Sequence, residues 1–201
     1  MRGLSLFLLS LLTAFLFSSA SSAAENGQPF YLDYGHSKGD KFISWYSGAR
    51  VDLKESKEFI RPGAGVIFNP EFGIYASKDM FLSFGIDYTQ YFVKNSSSTL
   101  QIIASACAVI PVGQRLDYMP GFGMSAGCMN VSGRNFFIFT TFLDCASFEY
   151  KFNTRWALLF NCMRFQYAMT DVKDYGDTSG TGIDLNFSLS VSVGFRYFLK
   201  Q

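Results

Sequence analysis

The segment IDLNFSLSVSVGFRYFL, residues 183–199, sets Ile183, Leu185, Phe187, Leu189, Val191, Val193, Phe195, Tyr197 and Leu199 at alternate positions. Asp184, Asn186, Ser188, Ser190, Ser192, Gly194 and Arg196 stand between them. A period of two means a β-strand with one apolar face and one polar face. The alternation runs well past the ~5–6 residues of an ordinary strand, whereas a tilted strand crossing a bilayer needs about 9–11. This stretch therefore constrains the chain toward a sheet long enough to span a membrane.

The N-terminus agrees with export. Arg2 opens a short basic region, Leu4 to Phe17 is apolar, and Ser21-Ser22-Ala23 or Ser22-Ala23-Ala24 offers small residues for cleavage. This pattern predicts a cleaved secretory signal over residues 1–23. The apolar run is too short for an anchor, and no Cys lies nearby to carry a lipid. No long apolar run follows, so a membrane crossing would have to be made by strands. Residues 24–40 read as a periplasmic leader or as an early start of the first strand, and 41–201 as the barrel.

Aromatic residues make up 18% of the chain, with 23 Phe and 11 Tyr, and these suit half-buried strands. The formal net charge is +1, so no basic field points to nucleic acid. Alternating segments appear at 41–53, 59–76, 80–93, 99–110, 118–131, 136–152, 155–170 and 183–199. Pro62 and Pro70 predict that the second is irregular or begins late. In the sixth, Phe137, Phe139, Leu143 and Cys145 share one phase and Phe148, Tyr150 and Phe152 the other, which predicts a β-bulge near Ala146. In the fifth, Gly121, Gly123, Ser125 and Gly127 form a face of small residues suited to a crowded interior. Tight connections are expected at 77–79 and 153–154 and a longer turn at 111–117. The fold class is all-β: an eight-stranded antiparallel up-and-down transmembrane barrel, closed so that no edge is left unpaired. With the termini in the periplasm, connections 54–58, 94–98, 132–135 and 171–181 face outward.

These features together resemble the small eight-stranded outer-membrane barrels of the OmpW and opacity-protein type. The resemblance is carried by the signal peptide, the alternating segments, and two openings, Arg61-Pro62-Gly63-Ala64-Gly65-Val66 and Met119-Pro120-Gly121-Phe122-Gly123-Met124. The aromatic last strand, Val193-Gly194-Phe195-Arg196-Tyr197-Phe198, adds to it. The chain departs from the family in ending Leu199-Lys200-Gln201 and in carrying four cysteines. The resemblance implies outer-membrane lipid around the barrel and the barrel-assembly machinery as a partner in biogenesis. It also implies either passage of small hydrophobic molecules by a side exit or interaction with host or surface ligands through the loops. The best loop is 171–181, with Asp171, Asp174, Tyr175 and Asp177 exposed.

Cys107, Cys128, Cys145 and Cys162 fall one to a strand at spacings that match no zinc pattern, and read as small apolar fillers, with one disulfide between neighbouring strands as the alternative. By phase, Cys128 and Cys145 lie on the apolar face and Cys162 beside Arg164. His36, the sole histidine, is expected to be solvent-exposed. Asp87, Gln101, Arg164, Asp184 and Arg196 lie on polar faces, and inside a narrow barrel they are expected to pair with one another. No catalytic residue, metal or cofactor is expected. Two alternatives remain. One is a lipid acyl hydrolase or acyltransferase built on His36 with a Ser and an acid, although no Gly-x-Ser-x-Gly elbow is present. The other is a soluble exported barrel whose apolar faces point inward around a ligand. The membrane reading predicts that the chain folds only in detergent and runs as a fast band that shifts on boiling. A detergent-independent soluble fold would turn the apolar faces inward and overturn it.

Overall fold

The computed structural model describes residues 35–52, 64–92, 97–171 and 183–199. Ten antiparallel strands form one sheet: β1 (Lys41–Asp52), β2 (Ala64–Ser77), β3 (Met80–Tyr91), β4 (Ser97–Ala108), β5 (Ile110–Pro111), β6 (Leu116–Tyr118), β7 (Gly121–Val131), β8 (Arg134–Lys151), β9 (Trp156–Asp171) and β10 (Ile183–Leu199). The eight long strands pair in chain order around the sheet, and β1 pairs with β10, so the barrel is closed. The second long strand begins at Ala64 and runs through Pro70, which faces outward.

The turn expected at 111–117 is partly strand. The short pair β5 and β6 continues the β4–β7 hairpin, with Ile110 opposite Tyr118, and β6 then pairs with β8 at Leu116–Tyr150. This ribbon, the tight β2–β3 turn at Lys78–Asp79, the β8–β9 turn and residues 35–40 lie at the end of the barrel that holds the beginning of β1 and the end of β10. We call it the termini end. At the β8–β9 turn the Asn153 side-chain oxygen accepts from the N–H groups of Arg155 and Trp156, which closes the turn in four residues. At the opposite end, Ser132 and Gly133 both have positive φ, 50° and 83°. That is the two-residue hairpin geometry whose twist matches the strands.

Alternation sorts the side chains. Phe68, Phe84, Leu100, Ile102, Phe122 and Phe137 point out and are each more than half exposed. Phe42, Tyr75, Phe81, Met119 and Leu159 point in and are buried at the termini end of the lumen. An outer surface of this kind is stable against hydrocarbon and costly against water. At the termini end the belt closes with aromatics: Trp156 packs against Trp45 and Tyr197 at 6.1 and 4.8 Å, and Tyr118 packs on Phe148 at 5.4 Å. Such rings mark the level where a bilayer meets water. The small face of β7 works as the sequence suggests, for a Cβ at Gly123 would run into the Phe142 ring.

The bulge near Ala146 is present, and a second one accompanies it. Between Gly121↔Asp144 and Tyr118↔Phe148, β8 advances four residues against three on its neighbour. Between Ser190↔Arg164 and Ser192↔Asn161, β9 advances three against two. The two extra residues sit at the same height, so β8 and β9 keep step with each other. This corrects the placement of Cys162 beside Arg164. Cys162 faces outward and is exposed, whereas Arg164 turns into the lumen, because the strand changes phase at Cys162-Met163. All four cysteines are free thiols.

Ile102 is the most exposed apolar side chain of the mid-barrel, at 73%. Ile102→Arg should lower stability by about 2–4 kcal/mol in vesicles, as an arginine does at the bilayer midplane. Urea unfolding of vesicle-folded protein reads the change. An unaltered midpoint would mean that water, not lipid, surrounds this face.

Candidate functional site: the barrel lumen

Eight staves leave an interior just wide enough for side chains, and here it is crossed by ion pairs at three levels. At the termini end, Arg196 of β10 is fully buried and donates to Glu149 Oε2 of β8 at 2.7 Å. The same guanidinium lies 3.9 Å over the Phe42 ring and 4.5 Å from the Phe81 ring. It also donates to the Tyr75 hydroxyl at 3.4 Å. A planar, weakly hydrated cation suits such a slot between aromatic faces and a carboxylate.

In the middle, Arg164 of β9 forks onto Asp144 of β8, at 2.6 and 2.9 Å, and stacks over Phe142 at 4.3 Å. Asn161 donates to the same carboxylate. Both Arg164 and Asn161 face inward only because the β9 bulge lies between them. Nearby, Glu71 accepts from the Ser83 hydroxyl at 2.7 Å, and Ser83 meets Ser105 at 2.6 Å. Toward the loop end, Arg50 of β1 reaches across β2 to Asp87 of β3 at 3.0 Å, and Thr89 donates to the same carboxylate at 3.2 Å. Gln101 Oε1 accepts from Ser125 and Thr140 at 2.8 and 3.0 Å. Beside this polar layer lies an inward apolar cluster of Met129, Val131, Phe136 and Ile138, with Ala168 packed against it.

The residues singled out in the sequence thus occupy separate layers. Asp87, Gln101, Arg164 and Arg196 all point into the lumen, yet each is held by a different residue and not by one another. Arg50, Ser125 with Thr140, Asp144 and Glu149 are those partners, and alternation alone gives no means of choosing them among the inward polar residues. The backbone of Asp184 pairs with Thr170, and its side chain lies outside the described residues. Asp171 ends β9 opposite Ile183, whereas Asp174, Tyr175 and Asp177 lie outside the described residues.

His36 departs most from expectation. Its side chain is 6% exposed, not free in solvent. The segment before β1 turns back on itself, with Asp40 accepting from the Ser37 N–H, and drops the imidazole into the termini-end mouth of the lumen. There it stacks on Tyr75 at 4.0 Å with an 18° interplanar angle and leans on Phe198 at 5.1 Å. Its Nε2 faces two carboxylates, Glu149 Oε1 at 3.3 Å and Asp117 Oδ2 at 3.6 Å, and Lys151 Nζ lies 2.6 Å from Asp117. Asp117 comes from the unexpected β6, so the sequence carried no sign that these groups meet. Ser37 stays exposed, and the partners of His36 are acids rather than a hydroxyl.

No protein-family model matches the chain, and no curated protein does. Among solved structures it is similar to Neisserial surface protein A (NspA), with a TM-score of 0.53 at 15% identity over 78% of this chain and 96% of that one. It is also similar to the outer membrane protein OprG from Pseudomonas aeruginosa, with a TM-score of 0.50 at 11% identity over 84% and 99%. The chain is an eight-stranded barrel of the bacterial outer-membrane type. The resemblance drawn from its alternating segments therefore holds at the level of the fold, and the aromatic girdle and apolar belt of this barrel are what that architecture requires.

Breaking one half of the deepest pair should be costly. Glu149→Gln leaves Arg196 buried beside an uncharged partner, and the expected loss is about 3–5 kcal/mol. The double variant Glu149→Met, Arg196→Met should recover most of it. Urea midpoints in vesicles decide the matter: losses that simply add would show that the two groups are not coupled.

Proposed function

We propose that this chain is an integral outer-membrane protein whose barrel is a sealed anchor and whose activity lies at its outer end, in interaction with surface ligands. The observation that carries this reading is the stack of buried ion pairs, Arg196–Glu149, Arg164–Asp144 and Arg50–Asp87, set at three heights across a narrow lumen. Each pair would have to be broken to open a water path, and unpaired charges in such a site are expensive. A diffusion pore is thereby disfavoured. In this reading residues 1–23 are removed on export, the barrel-assembly machinery inserts the chain, and the acidic, aromatic 171–181 loop with Asp174, Tyr175 and Asp177 is the leading contact surface. The protein is not an enzyme in this account, since His36 faces aromatic rings and carboxylates and, among the described residues, no serine hydroxyl.

A second reading draws on the apolar cluster of Met129, Val131, Phe136 and Ile138. An apolar lining above a charged floor suits a small hydrophobic molecule that enters from outside and leaves sideways into the bilayer, as the family resemblance implies. The two readings part on solute movement. Reconstituted into planar bilayers, the protein should show no stepwise conductance, and proteoliposomes should take up an apolar fluorescent probe no faster than protein-free vesicles. Steady conductance would overturn the sealed anchor. Accelerated uptake without conductance would favour the side exit. An antibody against residues 171–181 should label intact cells, whereas labelling only after permeabilisation would invert the orientation.

A further inference from the structure

We propose that His36, Asp117 and Glu149 form a binding site for a divalent cation of the zinc class at the termini-end mouth of the lumen. One ligand atom from each residue, His36 Nε2, Asp117 Oδ2 and Glu149 Oε1, lies within 4.8 Å of the others. The two spacings from the imidazole are 3.3 and 3.6 Å. Ligand atoms held ~2.0–2.2 Å from a tetrahedral ion stand about 3.3–3.5 Å apart. The same spacings are long for hydrogen bonds to an imidazole N–H. All three side chains are at least nine-tenths buried; His36 Nε2 and Glu149 Oε1 have no hydrogen-bond partner, and Asp117 Oδ2 is met only by the Lys151 ammonium. Buried polar atoms in folded proteins are nearly always partnered. Two that converge beside a carboxylate oxygen held only by a displaceable ammonium indicate a shared ligand.

The donor set selects the ion. One imidazole nitrogen and two carboxylate oxygens suit Zn2+, whereas Ca2+ and Mg2+ favour all-oxygen shells. The surroundings hold these donors in place. His36 is clamped between Tyr75 and Phe198, which fixes the direction of Nε2. Arg196 takes Glu149 Oε2 and leaves Oε1 turned toward the imidazole. Such outer partners orient ligands in metal sites generally. The competing group is Lys151, whose ammonium is 2.6 Å from Asp117 Oδ2 and 3.9 Å from Glu149 Oε1. It stands on a flexible four-carbon stem at the last residue of β8, next to the rim, so a cation can displace it without moving the backbone. Cation and ammonium are therefore rivals for one carboxylate oxygen.

That rivalry gives a test in two directions. The detergent-folded protein, without an affinity tag and stripped with chelator, is titrated with Zn2+ by calorimetry and with Co2+ by visible absorption. Folding of each variant is checked by its heat-modifiable band. We expect one Zn2+ per chain and the visible bands of tetrahedral Co2+. His36→Ala should weaken binding by about tenfold or more, and Lys151→Met should tighten it by removing the rival. Absence of saturable binding, or equal affinity in His36→Ala, overturns the proposal. So does unchanged or weaker binding in Lys151→Met, which decides the question even if His36→Ala fails to fold.

Discussion

Every other feature of this barrel depends on one ladder, the pairing of its first strand with its last. It runs from Lys41↔Leu199 to Asp52↔Ser188 without a break. In hydrocarbon no water can satisfy a free N–H or C=O, so an open sheet edge is untenable and the sheet must close. Closure fixes the circumference. The circumference fixes the lumen, and the lumen decides which inward side chains can coexist. The long alternation of β10 is therefore also half of the seam that makes the membrane fold possible.

Inside that fixed space, charge and volume are settled together. Arginines serve at three heights because a guanidinium stays charged, bonds a carboxylate and, where a ring is near, lies flat on it. Arg164 lies over Phe142 and forks onto Asp144, and Arg196 lies over Phe42 while one of its nitrogens donates to Glu149. Room for the rings comes from the neighbouring strand, where each ring faces a paired glycine. Phe42 occupies the space that a side chain at Gly73 would take, and Phe142 does the same at Gly123. The small residues of β2 and β7 and the bulky ones of β1 and β8 are thus halves of one packing arrangement.

The fold was largely legible in the sequence because a period of two is a direct imprint of a sheet with unlike faces. The eight segments, the tight turn at Asn153-Thr154 and the bulge near Ala146 all left such imprints. The second bulge left a fainter trace: Leu158 and Phe160 alternate on even positions, and Phe165, Tyr167 and Met169 on odd ones. The isolated Cys162-Met163 step hid it, and that misplaced Cys162. The candidate site was not legible in the same way. His36 precedes the first strand, Asp117 sits in a three-residue strand, and Glu149 lies below the bulge of β8. Their meeting is a property of closure, which brings distant parts of the chain around to the same mouth. Phase can say that a residue points inward, but not which residue it meets there.

The paired bulges bear on how such a barrel can vary in length. Each adds one residue to one of two neighbouring staves, and the staves stay aligned because both carry the addition at the same height. Losing the extra residue from β8 alone would turn the segment below it inside out, sending Glu149 and Lys151 toward lipid and Phe148 and Tyr150 into the lumen. A matched loss from β9 would leave the two strands aligned with each other, though not with β6 and β10 on either side. Insertions and deletions in this wall are therefore tied to one another. In the lineage of this protein, a length change near Ala146 should be accompanied by one near Cys162.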